Sequence, residues 1–217
     1  MSGPPSLADL RQLLAARFPS SSPRADAVVR SGVPTLDEAL GGGLPGAAFT
    51  ELVCPAASVG GSLILGSLLA ATRRARQRLA LLDAKDGFAP DEFPPADLEH
   101  LVWARGGGLD LKAVWAAADL LLRDPHFTVV VLDLRGCSER ELQRTPGNTW
   151  YRLHHALESS AAAGLVLSPG ATVPPARHRF HLDAPLAAAA WTTDRDDLLA
   201  GLRPRHDRQR VSLARSA

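Results

Sequence analysis

One stretch of this chain, TLDEALGGGLPGAAFTELVCPAASVGGSL (residues 35–63), constrains the fold more than any other. It reads as a short helix, a glycine turn, an apolar strand, and a loop that opens onto a long apolar helix. In αβα proteins a strand, loop and helix in this order commonly hold phosphate, because the first N–H groups of the helix face the loop and its dipole favours an anion. A phosphate loop of the form G-x-x-x-x-G-K-[ST] adds glycines for the turn, a lysine for charge and a hydroxyl for magnesium. With Ser62 as the hydroxyl residue, Gly60 is the second glycine, Gly61 stands in the lysine position and Pro55 in that of the first glycine. With Cys54 as the first glycine, Val59 replaces the second and Gly60 the lysine. No frame contains a lysine, and the chain has only Lys85 and Lys112 to supply one. A side chain at Cys54 or Val59, where a left-handed residue is wanted, is expected to cost about 1–2 kcal/mol. The expectation is a nucleotide site reduced to remnants, with ATP binding unlikely and no cofactor.

Downstream, strands and helices alternate. The pattern predicts a helix over Gly61–Arg78, a strand over Leu79–Asp83, a strand over Leu101–Ala104 and a helix over Leu111–Arg123. FTVVVLDL (Phe127–Leu134) is the clearest strand, with Asp133 at its carboxyl end, where open α/β sheets place ligand chemistry. A helix over Asn148–Ala163, a strand over Gly164–Ser168 and the loop PGATVPP follow. Arg177–Asp183 alternates like a strand, and Leu186–Trp191 is expected to pair with it. The fold class is therefore α/β, an αβα core with a mostly parallel sheet over residues 31–192. Residues 1–30 form a helix and linker, and residues 193–217 a basic tail with a short β element.

The N-terminal helix is predicted over Ser6–Phe18, with Leu7, Leu10, Leu13, Leu14 and Phe18 as a candidate docking face. Trp150 beside Tyr151 is a second candidate for partner contact. In the tail, Arg203, Arg205, Arg208 and Arg210 are candidate contacts for phosphate or a partner. Over the whole chain 24 Lys and Arg oppose 23 Asp and Glu, so the net charge gives no reason to expect nucleic-acid binding, and such binding is expected to be weak. Cys54 and Cys137 read as buried free thiols, without metal or redox spacing. His154 and His155 are neighbours on a helix, and His178 and His181 fall on opposite faces of a strand, so neither pair presents a metal site. The chain has no signal peptide and no apolar run long enough for a bilayer, which predicts a cytoplasmic protein.

SGVPTLDEALGGGLPGAAFTELVCP resembles the opening of the RecA core, and LLDAKDGFAP is similar to the RecA strand that ends in an acidic residue, alanine and the catalytic glutamate. Asp83 and Ala84 match that strand, but Lys85 stands in the glutamate position. VVVLDL matches the Walker B strand, with Asp133 as its carboxylate. With the G-G-G-L-P turn and DLLLRDPHFTVVVLDL included, the resemblance is closest to the ImuA family, RecA-like accessory proteins of a bacterial damage-induced mutagenesis cassette. It spans about residues 31–168. The resemblance implies a P-loop-type fold and, as partners, the Y-family-like polymerase homologue ImuB, RecA, and through them the error-prone replicative polymerase. ATP hydrolysis of the RecA type needs both the lysine and the glutamate, so the sequence predicts a non-enzymatic protein. The two loops that bind DNA in RecA correspond here to RGCSERELQRTPGN and PGATVPPARHR, both short and poor in paired basic and aromatic residues. Two other readings stay open: a SulA-like inhibitor of cell division, and an ATPase with an atypical loop.

Overall fold

Period-two alternation inside strands buried on both faces sets the architecture. In β4 (Leu79–Asp83) and β6 (Val129–Asp133), Leu79, Leu81, Val129 and Val131 enter one apolar cluster, while Ala80, Leu82, Val130 and Leu132 enter another on the opposite face. Such strands must be covered on both sides. The computed structural model describes residues 28–186, 190 and 192–207. The predicted helix with Leu7, Leu10, Leu13, Leu14 and Phe18 lies outside the described residues, as do Trp191, Arg208 and Arg210.

A seven-stranded sheet runs in the order β5-β4-β6-β7-β3-β8-β9, where β3 is Ala48–Val53, β5 Leu101–Arg105, β7 Ala163–Ser168, β8 Ala176–His181 and β9 Arg205–His206. All its pairings are parallel except β8 with β9. A two-residue pair, β1 (Val28–Val29) with β2 (Leu44–Pro45), flanks α1 (Pro34–Ala39). One face of the sheet carries α2 (Gly61–Arg74), whose Ile64, Leu65, Leu68 and Leu69 meet Leu52, Leu165 and Phe180. The other carries α4 (Leu111–Arg123) and α6 (Gly147–Ser160), through Val114, Trp115, Leu153 and Leu157. This is the α/β arrangement of a RecA-like αβα core. Short helices α3 (Pro95–Leu98) and α5 (Glu139–Gln143) lie in connections, and α7 (Arg195–Gly201) precedes β9.

Several boundaries differ from expectation for local reasons. The helix predicted to reach Arg78 ends at Arg74, because Arg76 turns left-handed (φ 54°). The Gln77 N–H then bonds the Thr72 carbonyl at 2.9 Å and the Arg76 N–H the Arg73 carbonyl at 2.9 Å, which is a Schellman closure. The strand predicted over Arg177–Asp183 is β8, yet its antiparallel partner is β9, with Phe180 opposite His206, and Leu186 lies in no strand. Stacking of Phe180 on His206, with centroids 4.5 Å apart, favours this register. Residues 195–206, read from sequence as tail, thus extend the sheet, and Leu199 and Leu202 are buried in its core.

A charged residue inside β3 fixes the loop after β7. Glu51 is completely buried and accepts from the Ser168 hydroxyl (3.0 Å), the Thr172 N–H (2.7 Å), the Val173 N–H (3.2 Å) and Arg179 Nε (2.6 Å). These bonds gather residues 168–173 against β3. Glu51→Ala leaves the Arg179 guanidinium only the Val173 carbonyl (2.9 Å) and Asp207 at 3.8 Å, and strips the Thr172 and Val173 N–H groups of their acceptor, so unfolding in urea should show a loss of about 3–5 kcal/mol, and Glu51→Gln a smaller one.

A histidine makes the fold sensitive to acid. The Thr72 hydroxyl donates to the Leu68 carbonyl (2.8 Å) and therefore accepts from His100 Nε2 (2.7 Å), while His100 Nδ1 is buried without a partner. Burial pushes the His100 pKa below its usual 6.5, with Arg73 acting the same way against Asp97 and Glu99. His178 is lowered as well, by burial first and then by His206 and Arg177. Both groups bind protons more readily when unfolded, so the stability they contribute is complete above the unfolded value and is lost as pH falls through the folded ones. Melting temperature should fall between about pH 7.5 and about pH 5.5, and His100→Gln, which keeps a donor for Thr72, should flatten that slope.

Candidate functional site

The carboxyl ends of β3, β4, β6 and β7 meet at one edge of the sheet. From β3 the chain passes β7 and β6 to reach β4, and from β7 it passes β3 to reach β8, so both connections start at the carboxyl ends of the two central strands. The register sets Asp83 directly beside Asp133. A cleft of about 310 Å³ opens there, lined by Cys54, Pro55, Ser62, Asp83, Lys85 and Asp133, together with Arg135. The structure therefore brings together the remnant positions singled out in the sequence, with Gly60 and Gly61 at the start of α2 beside them.

Residues 57–59 form a 3-10 turn, and Gly60 alone in the loop is left-handed (φ 94°). The strain expected at Cys54 or Val59 is absent, because the reversal falls on the one residue without a Cβ. Cys54 is buried, with its sulfur 3.6 Å from the Leu52 carbonyl. Burial pushes its thiol up to about 12, opposed by Arg135 and assisted by Asp133.

Each acidic group in the cleft is already engaged. Asp83 accepts from the N–H groups of Gly87 and Phe88, both at 2.9 Å, and from Trp103 Nε1 at 3.3 Å, so it holds the turn after β4. Lys85, two residues past Asp83, extends to Glu141, 3.8 Å away. Glu141 also closes a capping box with Ser138 at the start of α5, and its carboxyl is held below the usual range by the Ser138 N–H, then the Ser138 hydroxyl and Lys85.

The residue that sequence reading missed is Arg135. Its Nε donates to Asp133 Oδ1 at 2.9 Å, its Nη2 to Asp133 Oδ2 at 2.5 Å, and its Nη1 to the Ser62 hydroxyl at 2.9 Å. Asp133 and Arg135 side chains are 5% and 17% exposed, so this is a largely buried bidentate pair. Burial opposes the charge on Arg135, yet the bonds and charge of Asp133 raise its pKa. A Cβ at Gly61 would lie 2.9 Å from Arg135 Nη1 and 3.0 Å from the Cys54 sulfur. The cation missing from the loop thus enters from the end of β6. An arginine two residues past a strand-end aspartate was the signal for it.

Magnesium and a nucleotide triphosphate, which the RecA resemblance implies, do not fit these residues. Gly61 offers no lysine, both Asp133 oxygens face a guanidinium, and the Ser62 hydroxyl that would bind metal accepts from the same arginine. Among the described residues no cluster of three or more His, Cys, Asp or Glu side chains could hold a metal ion. His178 meets His206 at 3.4 Å, whereas His181 faces Asp207 at 3.7 Å.

Other candidates lie elsewhere. Trp150, read as a partner contact, is 1% exposed and packs on Trp115 (5.0 Å) and Phe49 (6.2 Å), so it belongs to the core. Its neighbour Tyr151, about a quarter-turn round the helix, is 56% exposed. Arg205 pairs with Asp183 (2.7 Å), and Arg203 bonds the carbonyls of Ala200 and Leu202. No helix among the described residues is long and apolar enough to cross a membrane.

The fold is an α/β core consistent with the RecA-like αβα architecture, and the charged residues of its strand-end cleft are bonded to one another. No protein-family model matches this chain, and no curated protein matches it.

Because the thiol of Cys54 stays protonated and that of Cys137 is also raised by burial, neither should react with a disulfide reagent at about pH 8 in the native protein. Both should react on unfolding, which a colorimetric thiol titration in guanidinium would show.

Proposed function

We propose that this chain is an ImuA-like adaptor, a RecA-type domain that works by docking and not by hydrolysis. Its partners in this reading are the ImuB-like polymerase homologue and RecA, with the error-prone replicative polymerase joined indirectly, in the cytoplasm during the damage response. The observation that carries the proposal is the charge pairing in the cleft: Arg135 holds Asp133 and Ser62, and Lys85 faces Glu141. Among the described residues of the cleft, Asp133 and Ser62 are held by Arg135 and the position after Ala84 carries a lysine, so none is a free carboxylate placed to activate water. What persists is the outer form of a RecA-like core, including the exposed face of α6 at Tyr151, and such a surface suits contacts made where a RecA protomer docks.

The full chain should capture purified ImuB-type protein or RecA. Loss of capture after deletion of residues 1–24 would assign the contact to the N-terminal segment, and retention to the core. ATP with magnesium should leave the melting temperature unchanged, whereas a ligand at a hundred times its dissociation constant would add about 2.7 kcal/mol. Absence of capture of either partner, or ATP turnover abolished by Asp133→Ala, would sink the reading.

A further inference from the structure

We infer that the groove between α4, α5 and the first turns of α6 is a docking site for an acidic peptide segment of a protein partner, with Lys112, Arg144 and Arg152 as its carboxylate contacts. The inference rests on the docking reading above. It adds the surface that docks and the chemistry of what that surface takes up.

Three observations support it. First, a cavity of about 430 Å³ lies where these helices meet, and none of the residues that line it lines the strand-end cleft. Pockets of this size hold a ligand or a few side chains of a partner. Second, its free charges are of one sign. Lys112 comes from the first turn of α4, Arg144 directly follows α5 and Arg152 comes from the second turn of α6, and all three are exposed. The opposing carboxylate in the lining, Glu141, already accepts from the Ser138 hydroxyl at 2.8 Å and faces Lys85 at 3.8 Å. Among the described residues no ion pair uses Lys112 or Arg144, and Arg152 reaches only Asp119, at 3.5 Å, a group that Arg123 holds at 2.7 Å. These cations keep N–H donors that carboxylates of a partner match. Third, the lining between the charges suits a peptide. Trp115 is 6% exposed and is held against Trp150 with ring centroids 5.0 Å apart, and the Thr145 hydroxyl oxygen is buried with no hydrogen-bond partner. Tryptophan and arginine are enriched where binding energy concentrates, and a buried unpaired hydroxyl can bond a peptide group. The three cations stand on three separate elements around this patch. An extended segment with acidic side chains on either side of an apolar one reaches them all, which a single compact anion does not.

The test uses the full chain and a fluorescein-labelled peptide of glutamates flanking a leucine, with anisotropy as the readout of binding and circular dichroism as the check on folding. The glutamate peptide should bind, its glutamine counterpart should not, and binding should weaken as salt rises from about 50 mM to about 500 mM. Arg144→Gln and Arg152→Gln should each weaken it about twofold to fivefold, as losses of exposed charge pairs do, and the triple variant with Lys112→Gln at least about tenfold. The single variants carry the test if the triple variant does not fold. Arg74→Gln, at the end of α2 on the other face of the sheet, should leave binding unchanged. Binding should also alter tryptophan fluorescence, and Trp115→Phe should abolish that change. No binding of the glutamate peptide, equal binding of the glutamine peptide, equal losses from Arg74→Gln and Arg144→Gln, or a fluorescence change that survives Trp115→Phe would overturn the proposal. Displacement of the peptide by oligothymidylate at a lower concentration than by unlabelled peptide would make this a nucleic-acid surface and overturn it too. Capture of ImuB-type protein or RecA is scored separately. Capture retained in full by the folded triple variant would exclude this groove and leave the docking reading standing, whereas peptide binding without capture of either partner would support the groove and sink that reading.

Discussion

A carboxylate at the end of a strand buried on both faces has to be matched by a positive charge, and in this protein that requirement falls on Asp133. In a working nucleotide-binding core the match comes from metal and lysine, groups that are present or ordered only with the ligand. Here it comes from the chain itself two residues further on. The consequences spread from that pair. Gly61 is kept free of a side chain, Ser62 becomes an acceptor for arginine, and the thiol of Cys54 sits between an acid and a base yet stays protonated because burial dominates. An interior ion pair adds little net stability over an apolar equivalent, because desolvating two ions offsets most of their attraction. Its effect is to settle which charges are free, and here neither Asp133 nor Arg135 is.

Much of the fold was readable because its strands leave little choice. LALLD and VVVLD are too short for helices and too apolar for anything but a covered parallel sheet, and their aspartates mark its carboxyl edge. The αβα order followed from there, whereas the grouping of Cys54, Pro55, Ser62, Lys85 and Asp133 came from the phosphate-loop frame and the resemblance to a RecA core. Side-chain destinations were harder to read. Trp150 looked like a surface anchor because it adjoins Tyr151, but neighbouring helix positions differ by about 100°, and Trp150 takes the inward one. Arg135 was read only as the first letter of a loop. Its role depends on a bond to Ser62, 73 positions away, which no local pattern contains.

Glu51 teaches the same point from the opposite side of the sheet. A glutamate inside an otherwise apolar strand is a visible anomaly, and its explanation lies in the loop after β7 and in Arg179 of β8. Both anomalies are charges where propensity asks for none, and both turn out to fix loops at the same edge. Asp83 does likewise for the turn that follows β4. The edge that would be mobile in an enzyme that opens and closes around a substrate is here fastened by internal bonds at three strand ends.

The loop after β3 is also held by residues that follow β8. A Cβ on Gly60 would meet Leu202 at 2.8 Å, the Leu186 N–H bonds the Ser58 carbonyl at 2.8 Å, and the Thr35 hydroxyl bonds the Leu202 carbonyl at 3.3 Å. During synthesis the sheet strands β3 through β7 leave the ribosome long before residue 202 does. The loop that most defines this protein therefore cannot reach its final shape before residue 202 has been made, and a nascent chain stalled short of that residue would carry the strands without the finished cleft.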